Sequence, residues 1–217
     1  MPMANRQTLL ALADEYDFLI IEDDHDFEFN FSKKPIMPIA SLDKPNRVIY
    51  VGSLSNILAP SFRLGFVVAS REIIKHFSNE IMMIDRQGNT VMELAIAELL
   101  YTGEINRHIL KIVKIYEERR AFIAKLINNE LSDFVQFKMP DGGLALWLTV
   151  NPKINMQILV KDAELEKVRI VAGARFSLQS EPVSAIKLGF ASLNNDEISL
   201  GIKRLKRAFM RQLTPLL

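Results

Sequence analysis

The sequence predicts an α/β fold, and three features of the chain support this prediction. Residues 17–24 form an apolar run that ends in carboxylates, which is typical of a buried parallel strand whose carboxyl end faces a site. Residues 47–53 repeat the apolar pattern of a strand. From residue 71 onward the apolar residues change to helical spacing. We therefore expect a sheet with flanking helices.

Two further elements are predicted before residue 71. A short opening helix precedes the first strand, and its apolar side comprises Leu9, Leu10, Leu12 and Ala13. Residues 62–69 form a third apolar strand. The connection between the second and third strands is too short for a helical crossover, so the third strand is predicted to run antiparallel to the second.

The second half of the chain alternates between helical and strand-like segments. A long helix is predicted from the residues that keep the spacing of one face: Ile105, Ile109, Ile112, Tyr116, Ile123 and Leu126. Two strand-like segments follow at 134–138 and 145–150, with a Gly-containing turn at 141–143 between them. A helix is predicted near 156–167, and two further strand-like segments follow it, at 169–172 and 185–190.

The last helix carries its own start signal. Asn194 stands three residues before Glu197, a pairing typical of a helix N-terminus, and the buried face is predicted to contain Ile198, Ile202, Leu205 and Phe209. The basic run 203–207, together with Arg211, lies in the C-terminal half of this helix. Because the helix dipole favours cations there, we interpret the run as a solvated helix face rather than a nucleic-acid patch.

Composition excludes several classes of function. The 217 residues contain no cysteine and carry a net charge of +1, which rules out disulfides and thiolate chemistry and provides no global field for nucleic acid. The three histidines, at 25, 76 and 108, lie in unlike contexts, so we expect no metal site. Residues 1–6 lack a secretion-signal core, and no apolar run is long enough to span a membrane. We therefore expect a cytoplasmic protein.

The most informative segment is 53–65, which reads Ser-Leu-Ser-Asn-Ile-Leu-Ala-Pro-Ser-Phe-Arg-Leu-Gly. It resembles the cofactor-lysine segment of fold-type-I pyridoxal-phosphate (PLP) aminotransferases, in which Ser-x-Ser-Lys is followed by Pro and then by Arg-x-Gly. Every element is present except the lysine, whose place is taken by Asn56. That lysine forms the covalent link to PLP and moves a proton, and an amide nitrogen is neither nucleophilic nor basic. The resemblance therefore implies a PLP-enzyme scaffold without its chemistry.

Two more blocks extend the resemblance along the chain. Residues 20–29, Ile-Ile-Glu-Asp-Asp-His-Asp-Phe-Glu-Phe, resemble a signature of the aminotransferase-like domain of GntR/MocR-type transcription regulators, and 188–191 followed by the capped helix resemble its C-terminal end. The resemblance implies the second half of that domain: a remnant of the large PLP-binding domain over 1–103 and the small α+β domain over 104–217. The family's winged-helix DNA-binding domain and glycine-rich phosphate loop would precede this region.

The resemblance also assigns roles to individual residues. A carboxylate at the end of the first strand holds the protonated pyridine nitrogen of PLP. We assign this role to Asp23, because residues i and i+2 share one face of a strand and Asp23 then aligns with position 25; Asp24 is the alternative. His25 stands where the family has a tyrosine that hydrogen-bonds the cofactor's phenolic oxygen.

The phosphate and substrate positions are assigned in the same way. Ser53, Ser55 and Arg63 are expected to hold the phosphate through two hydroxyls and a bidentate cation. Lys187 stands where the family has the arginine that binds a substrate carboxylate, and lysine keeps the charge without the planar fork.

Three functions compete at this point. The first is a catalytically silent domain that senses an amino-acid-like effector or mediates interactions, binding PLP weakly and without a covalent bond at most. The second is an aminotransferase whose lysine was substituted or whose remaining site is supplied by another chain. The third is DNA binding by these residues themselves, which no helix-turn-helix pattern in the sequence supports. Uncovered sheet edges and helix faces in half a large domain also predict a homodimer.

Overall fold

The computed structural model describes residues 1–32, 37–86, 88–177 and 183–213. The chain forms two compact units, Met1–Ile112 and Val113–Leu217. The family-based domain boundary at 103/104 coincides with the start of the long helix α4, which contributes to both units. Among the described residues, no helix combines the length and the apolar character that crossing a membrane requires.

The first unit is built on a three-stranded sheet. Helix α1 (Met3–Glu15) leads into β1 (Ile20–Asp24), which is followed by β2 (Val48–Ser53) and β3 (Gly65–Val68). The strand order is β1-β2-β3, with β1 parallel and β3 antiparallel to β2. Helices α2 (Arg71–Asp85) and α3 (Thr90–Tyr101) complete the unit with the start of α4 (Glu104–Glu130). The prediction of three strands and the antiparallel direction of the third are confirmed.

The prediction that β1 is a buried strand is wrong for alternate side chains. Ile20 is buried, but the side chain of Ile21 is 71% exposed, and on β3 Val68 is 57% exposed. The described residues form two small cores in this unit, one around Ala13, Ile20 and Val48 and another around Ile57 and Ile96. Ile21 remains exposed, although Ile49, its register partner on β2, is buried.

The second unit has a larger core around a four-stranded antiparallel sheet. Its strands are β4 (Val135–Phe137), β5 (Ala145–Val150), β6 (Val171–Ala172) and β7 (Ala185–Gly189), in the order β4-β5-β7-β6. Helices α5 (Met156–Leu165) and α6 (Asn195–Leu213) pack against each other. Leu146, Leu148, Ile186, Phe190 and Phe209 are completely buried in this core.

The start of α6 has the predicted cap. The Asn194 side-chain oxygen accepts a hydrogen bond from the Glu197 N–H at 2.9 Å, and the Glu197 carboxylate accepts one from the Asn194 N–H at 2.8 Å. This reciprocal pair satisfies two backbone donors that the first turn leaves without helical partners. The predicted core residues of α6, from Ile198 to Phe209, are also buried.

Candidate functional site

The site begins where β1 and β2 end. In the parallel register Asp23 pairs with Val51 and Asp24 with Gly52. The loops that follow the two strands therefore begin at the same edge of the sheet. The loops that follow are in direct contact: the Asn56 side-chain amide donates hydrogen bonds to the Asp26 carboxylate at 2.8 Å and to the His25 carbonyl at 3.4 Å. The side chain of Asn56 therefore ties the second loop to the first.

Asp23 and His25 lie on one side of the first loop, as their spacing predicts. The His25 Nδ1 atom is 3.5 Å from the Asp23 carboxylate, and Nε2 is 3.6 Å from that of Asp26. Asp23 is 71% exposed, so its carboxylate is accessible to a ligand. The assignment of Asp23 to a pyridine nitrogen stays a prediction, but the alignment on which it rests is present.

Asp24, the alternative, has a different environment. Its carboxylate accepts a hydrogen bond from the Tyr50 hydroxyl at 3.3 Å. Burial raises the pKa of Asp24, and this hydrogen bond opposes the rise. Burial and the neighbouring Asp24 charge raise the pKa of Tyr50 to about 12, so the phenol remains a donor at neutral pH. Asp24 thus has an internal partner, whereas Asp23 faces solvent and His25.

Glu22, the first of the three adjacent acids, has a structural role. The two Glu22 carboxylate oxygens accept hydrogen bonds from the backbone N–H groups of Ile39 at 2.7 Å and of Ala40 at 2.9 Å. These groups open a short 3-10 helix, Ile39–Leu42. Carboxylates are favourable at a helix N-terminus, where backbone N–H groups have no helical partner. Glu22 is therefore engaged in holding this turn beside β1.

Ser53, Ser55 and Arg63 belong to one loop between β2 and β3. The Ser55 N–H donates to the Ser53 hydroxyl at 3.2 Å, and the Leu54 N–H donates to the Leu64 carbonyl at 3.0 Å. Arg63 has a left-handed backbone with φ of 49°, and its side chain is exposed, without a hydrogen bond or ion pair to any described residue. Two hydroxyls and a free guanidinium on one loop are donors suited to an anion such as phosphate.

The close return of this loop requires glycine at position 65. Gly65 pairs with Ser53 in the β2–β3 register, and a Cβ atom placed on it would be 2.8 Å from the Gly52 carbonyl oxygen. Since real Cβ atoms do not approach backbone oxygens so closely, any side chain here would push β3 away from β2. The glycine of the Arg-x-Gly pattern therefore allows β3 to pair closely with the end of β2 directly after Arg63.

Lys187 lies in the second unit, at the centre of β7. Its cross-strand neighbours are Trp147 and Val171, and its ammonium is 5.4 Å from the centre of the Phe176 ring. Trp147 and Phe176 meet edge to face at 5.8 Å. The cation is exposed and lies in an aromatic corner, an arrangement in which cation–π attraction fixes its position.

Sequence reasoning missed one acidic residue of the first unit. Both carboxylate oxygens of Glu28 are buried and have no hydrogen-bond partner among the described residues, although the residue as a whole is half-buried. Burial raises its pKa to about 7; the nearby Asp24 and Asp26 charges act in the same direction, and its own backbone N–H opposes them. A glutamate between Phe27 and Phe29 is the signal that could have revealed it, because apolar neighbours indicate a desolvated carboxylate.

Comparison with known proteins shows the family. The sequence model of Aminotransferase class I and II matches residues 1–205. "Aromatic-amino-acid aminotransferase 1" of Thermococcus litoralis is 31% identical over 96% of this chain and 50% of its own length. The HTH-type transcriptional regulator YhdI of Bacillus subtilis is also 31% identical, over 96% of this chain and 45% of its own length. The chain spans about half the length of these curated relatives.

Solved structures agree in fold and in coverage. The multiple substrate aminotransferase of Thermococcus profundus superposes with a TM-score of 0.90 at 30% identity, over 98% of this chain and 53% of that one. The kynurenine aminotransferase of Pyrococcus horikoshii gives a TM-score of 0.91 at 31% identity, over 99% and 53%. The chain belongs to the aminotransferase class I and II family, whose members here include both enzymes and HTH-type regulators.

Proposed function

We propose that this chain is a catalytically silent aminotransferase-like module of the kind that GntR/MocR-type regulators contain, and that it senses an amino-acid-like effector. The observation that carries the proposal is the environment of Asn56. This residue occupies the position of the cofactor-binding lysine, and its amide is engaged with Asp26 at 2.8 Å. An amide has neither the nucleophilic nitrogen nor the proton affinity that the lysine contributes.

The residues present suit non-covalent binding of PLP. Ser53, Ser55 and Arg63 would hold its phosphate, and the exposed Asp23 carboxylate would accept a hydrogen bond from the pyridine nitrogen, with His25 beside it. When bound, PLP supplies an electron sink for chemistry at an amino acid. Without lysine the chain itself supplies no covalent attachment at position 56, so we expect weak binding at most.

Lys187 is the candidate for recognising an effector carboxylate. Its ammonium is exposed, and its position next to the Phe176 ring limits its freedom. An ammonium binds a carboxylate as a point charge, without the two parallel hydrogen bonds that arginine makes. The proposal therefore expects recognition of a carboxylate with low geometric selectivity.

Partners are proposed from the exposed apolar surface. Several large apolar side chains of the first unit are strongly exposed in the described residues, among them Ile21, Met83, Ile84, Val91 and Tyr101. Surfaces of this kind mark interaction sites, and we propose that they are covered in a homodimer. DNA would be contacted only by a winged-helix domain outside the present 217 residues. Regulation of transcription would place the module in the cytoplasm.

A second candidate function follows from the length of the relatives. The chain corresponds to about half of the aminotransferases it matches, 50% of the Thermococcus litoralis enzyme. The alternative is a PLP-dependent aminotransferase acting on an amino acid, in which the lysine was substituted or the rest of the site comes from another chain. Transamination after addition of another polypeptide, with Asn56 unchanged, would favour this alternative.

Titration with PLP tests the proposal. We expect a Kd above 1 μM for the natural sequence, and about tenfold weaker binding for Arg63→Ala, since loss of charge-assisted hydrogen bonds costs about 1.5 kcal/mol or more. Arg71→Ala is the matched control, because Arg71 is an exposed arginine at the start of α2. Borohydride reduction of the protein as purified, before any PLP is added, followed by mass spectrometry should find no PLP joined to a lysine.

Two results would contradict the proposal. Submicromolar affinity in both the natural sequence and Arg63→Ala would show that the phosphate site lies elsewhere. A PLP–lysine adduct at any position would show that the covalent chemistry persists without a lysine at position 56.

A further inference from the structure

The second unit contains a groove that none of the roles above uses. It has a volume of about 350 Å³ and lies between the turn after α5, the end of β7 and helix α6. Its lining is apolar in the middle, where Leu188 and Ile198 contribute, and at the rim, where Leu193 and Leu200 are 36% and 47% exposed. This volume lies at the lower end of the range typical of small-molecule sites.

Three cations also line this groove: Lys167, Arg169 and Arg204. None of them has a hydrogen bond or an ion pair from its side chain to another residue of the described chain. Glu197 is an acidic residue of the lining, and its carboxylate is engaged in the helix cap, where it accepts from the Asn194 N–H at 2.8 Å. The groove thus combines an apolar floor with an excess of uncompensated positive charge.

Three other cations near the end of α6 differ from Arg204, because each forms an ion pair. Lys206 pairs with Glu130 at 2.9 Å, and both Arg207 and Arg211 pair with Glu166. These three cations lie at the surface, as a solvated helix face requires, and each is neutralised by a carboxylate at the end of α4 or α5. Arg204 is partly buried against the groove and has no such partner. Its charge is therefore available to a ligand.

Lys167 lies at the left-handed end of helix α5. Helix α5 ends with hydrogen bonds from the Val168 N–H to the Ala163 carbonyl at 2.8 Å and from the Lys167 N–H to the Glu164 carbonyl at 2.9 Å, and Lys167 has a φ of 61°. This helix ending places its left-handed residue where glycine is normally found, because glycine adopts the conformation without strain. Here the strained position carries a cation at the groove instead.

We propose that this groove binds an amphipathic carboxylate, with its apolar chain on the floor near Leu188 and its carboxylate among Lys167, Arg169 and Arg204. The chemistry of the lining selects the ligand: apolar surface requires a hydrocarbon chain, and three cations favour a single anionic end without a neighbouring ammonium. The volume suits one medium-length chain rather than a peptide helix, whose diameter with side chains is about 10 Å or more.

Octanoate is the probe for this site, titrated into the whole chain by calorimetry and followed by amide chemical shifts near Leu193 and Gly201. We expect a Kd of about 0.1–1 mM. Hexanoate should bind about tenfold more weakly, because two buried CH₂ groups are lost. Octylammonium and 2-aminooctanoate should bind more weakly than octanoate, since each brings a positive charge toward the three cations.

Variants separate the site from the remainder of the basic run. Arg204→Gln should weaken octanoate binding at least fivefold, whereas Lys203→Gln, one position earlier and exposed, should leave it unchanged. A side chain at Gly201 would enter open space, because nothing lies within 4 Å of a Cβ atom placed there. Gly201→Leu should therefore preserve the fold and block the groove.

Lys167→Gly distinguishes a binding role from a structural one. Removing the strained side chain should raise the urea midpoint of unfolding, while the loss of the cation should weaken octanoate binding. A variant that is less stable and binds octanoate normally would overturn the assignment of Lys167. Equal affinity for octanoate and octylammonium, no saturable octanoate binding, or unchanged binding in both Arg204→Gln and Gly201→Leu would each overturn the proposal.

Discussion

Replacing Glu28 by glutamine should stabilise the first unit at pH 8 and have little effect at pH 4.5. Both oxygens of the Glu28 carboxylate are buried without a hydrogen-bond partner in the part of the chain that the structure describes, and burial raises its pKa from an ordinary 4.5 to about 7. Because the folded state binds the proton more tightly than the unfolded state, Glu28 costs stability as the pH rises between these two values. Below pH 4.5 both states are protonated, and the cost disappears.

The magnitude follows from the difference between the two pKa values. A displacement of this size corresponds to about 3.4 kcal/mol at full burial, at about 1.4 kcal/mol per pKa unit. Glu28 as a residue is only half-buried, so screening by solvent reduces the expected gain for Glu28→Gln at pH 8 to about 1–2 kcal/mol. The amide keeps the shape of the side chain and removes the charge.

The assay must report on the first unit alone. Hydrogen exchange of the β2 amides, measured in urea at pH 4.5 and pH 8, does so, while the single tryptophan, Trp147, reports on the second unit. Glu80→Gln is the matched control, since Glu80 is exposed on α2. A gain that is the same at both pH values would refute the reasoning, because the cost of Glu28 would then not come from its ionisation. A loss of stability at pH 8 would also refute it, because it would mean that the Glu28 carboxylate has a stabilising partner.

Two further predictions concern the cap of α6 and the lysine position. Asn194→Ala should lower the stability of the second unit by about 1 kcal/mol, because the Glu197 N–H loses the side-chain oxygen that accepts its hydrogen bond. Urea unfolding followed by Trp147 fluorescence measures this loss, and Asn195→Ala should behave like the natural sequence; equal stability of all three would argue against the cap. Asn56→Lys should not restore transamination of common amino acids by itself, because we expect Lys187 and His25 to differ from the family pattern as well. Residues that act as one unit recover little when one is repaired. A turnover of roughly 1 per second or more in that variant would show a complete enzyme with one disabled residue.

The sequence predicts the elements of this fold well because their signals are local. Alternation and helical spacing identify the strands and helices, and a short connection sets the direction of β3. The burial of β1 was predicted wrongly for Ile21, since an apolar strand is buried only if another layer covers it. Whether such a layer exists depends on contacts between distant segments, and spacing within a strand carries no information about them.

The same contrast between local signals and distant contacts applies to single charged side chains. Glu22, Asp23 and Asp24 are adjacent acids, and period-two alternation correctly groups Asp23 with His25. The alternation gives no indication that Glu22 accepts two backbone N–H groups 17 and 18 residues away, or that Tyr50 donates to Asp24. Whether a charged side chain supports the fold or can bind a ligand depends on the partners that the fold brings close to it. On this criterion Asp23 and Arg63 remain available to a ligand, whereas Asn56 is already occupied by Asp26.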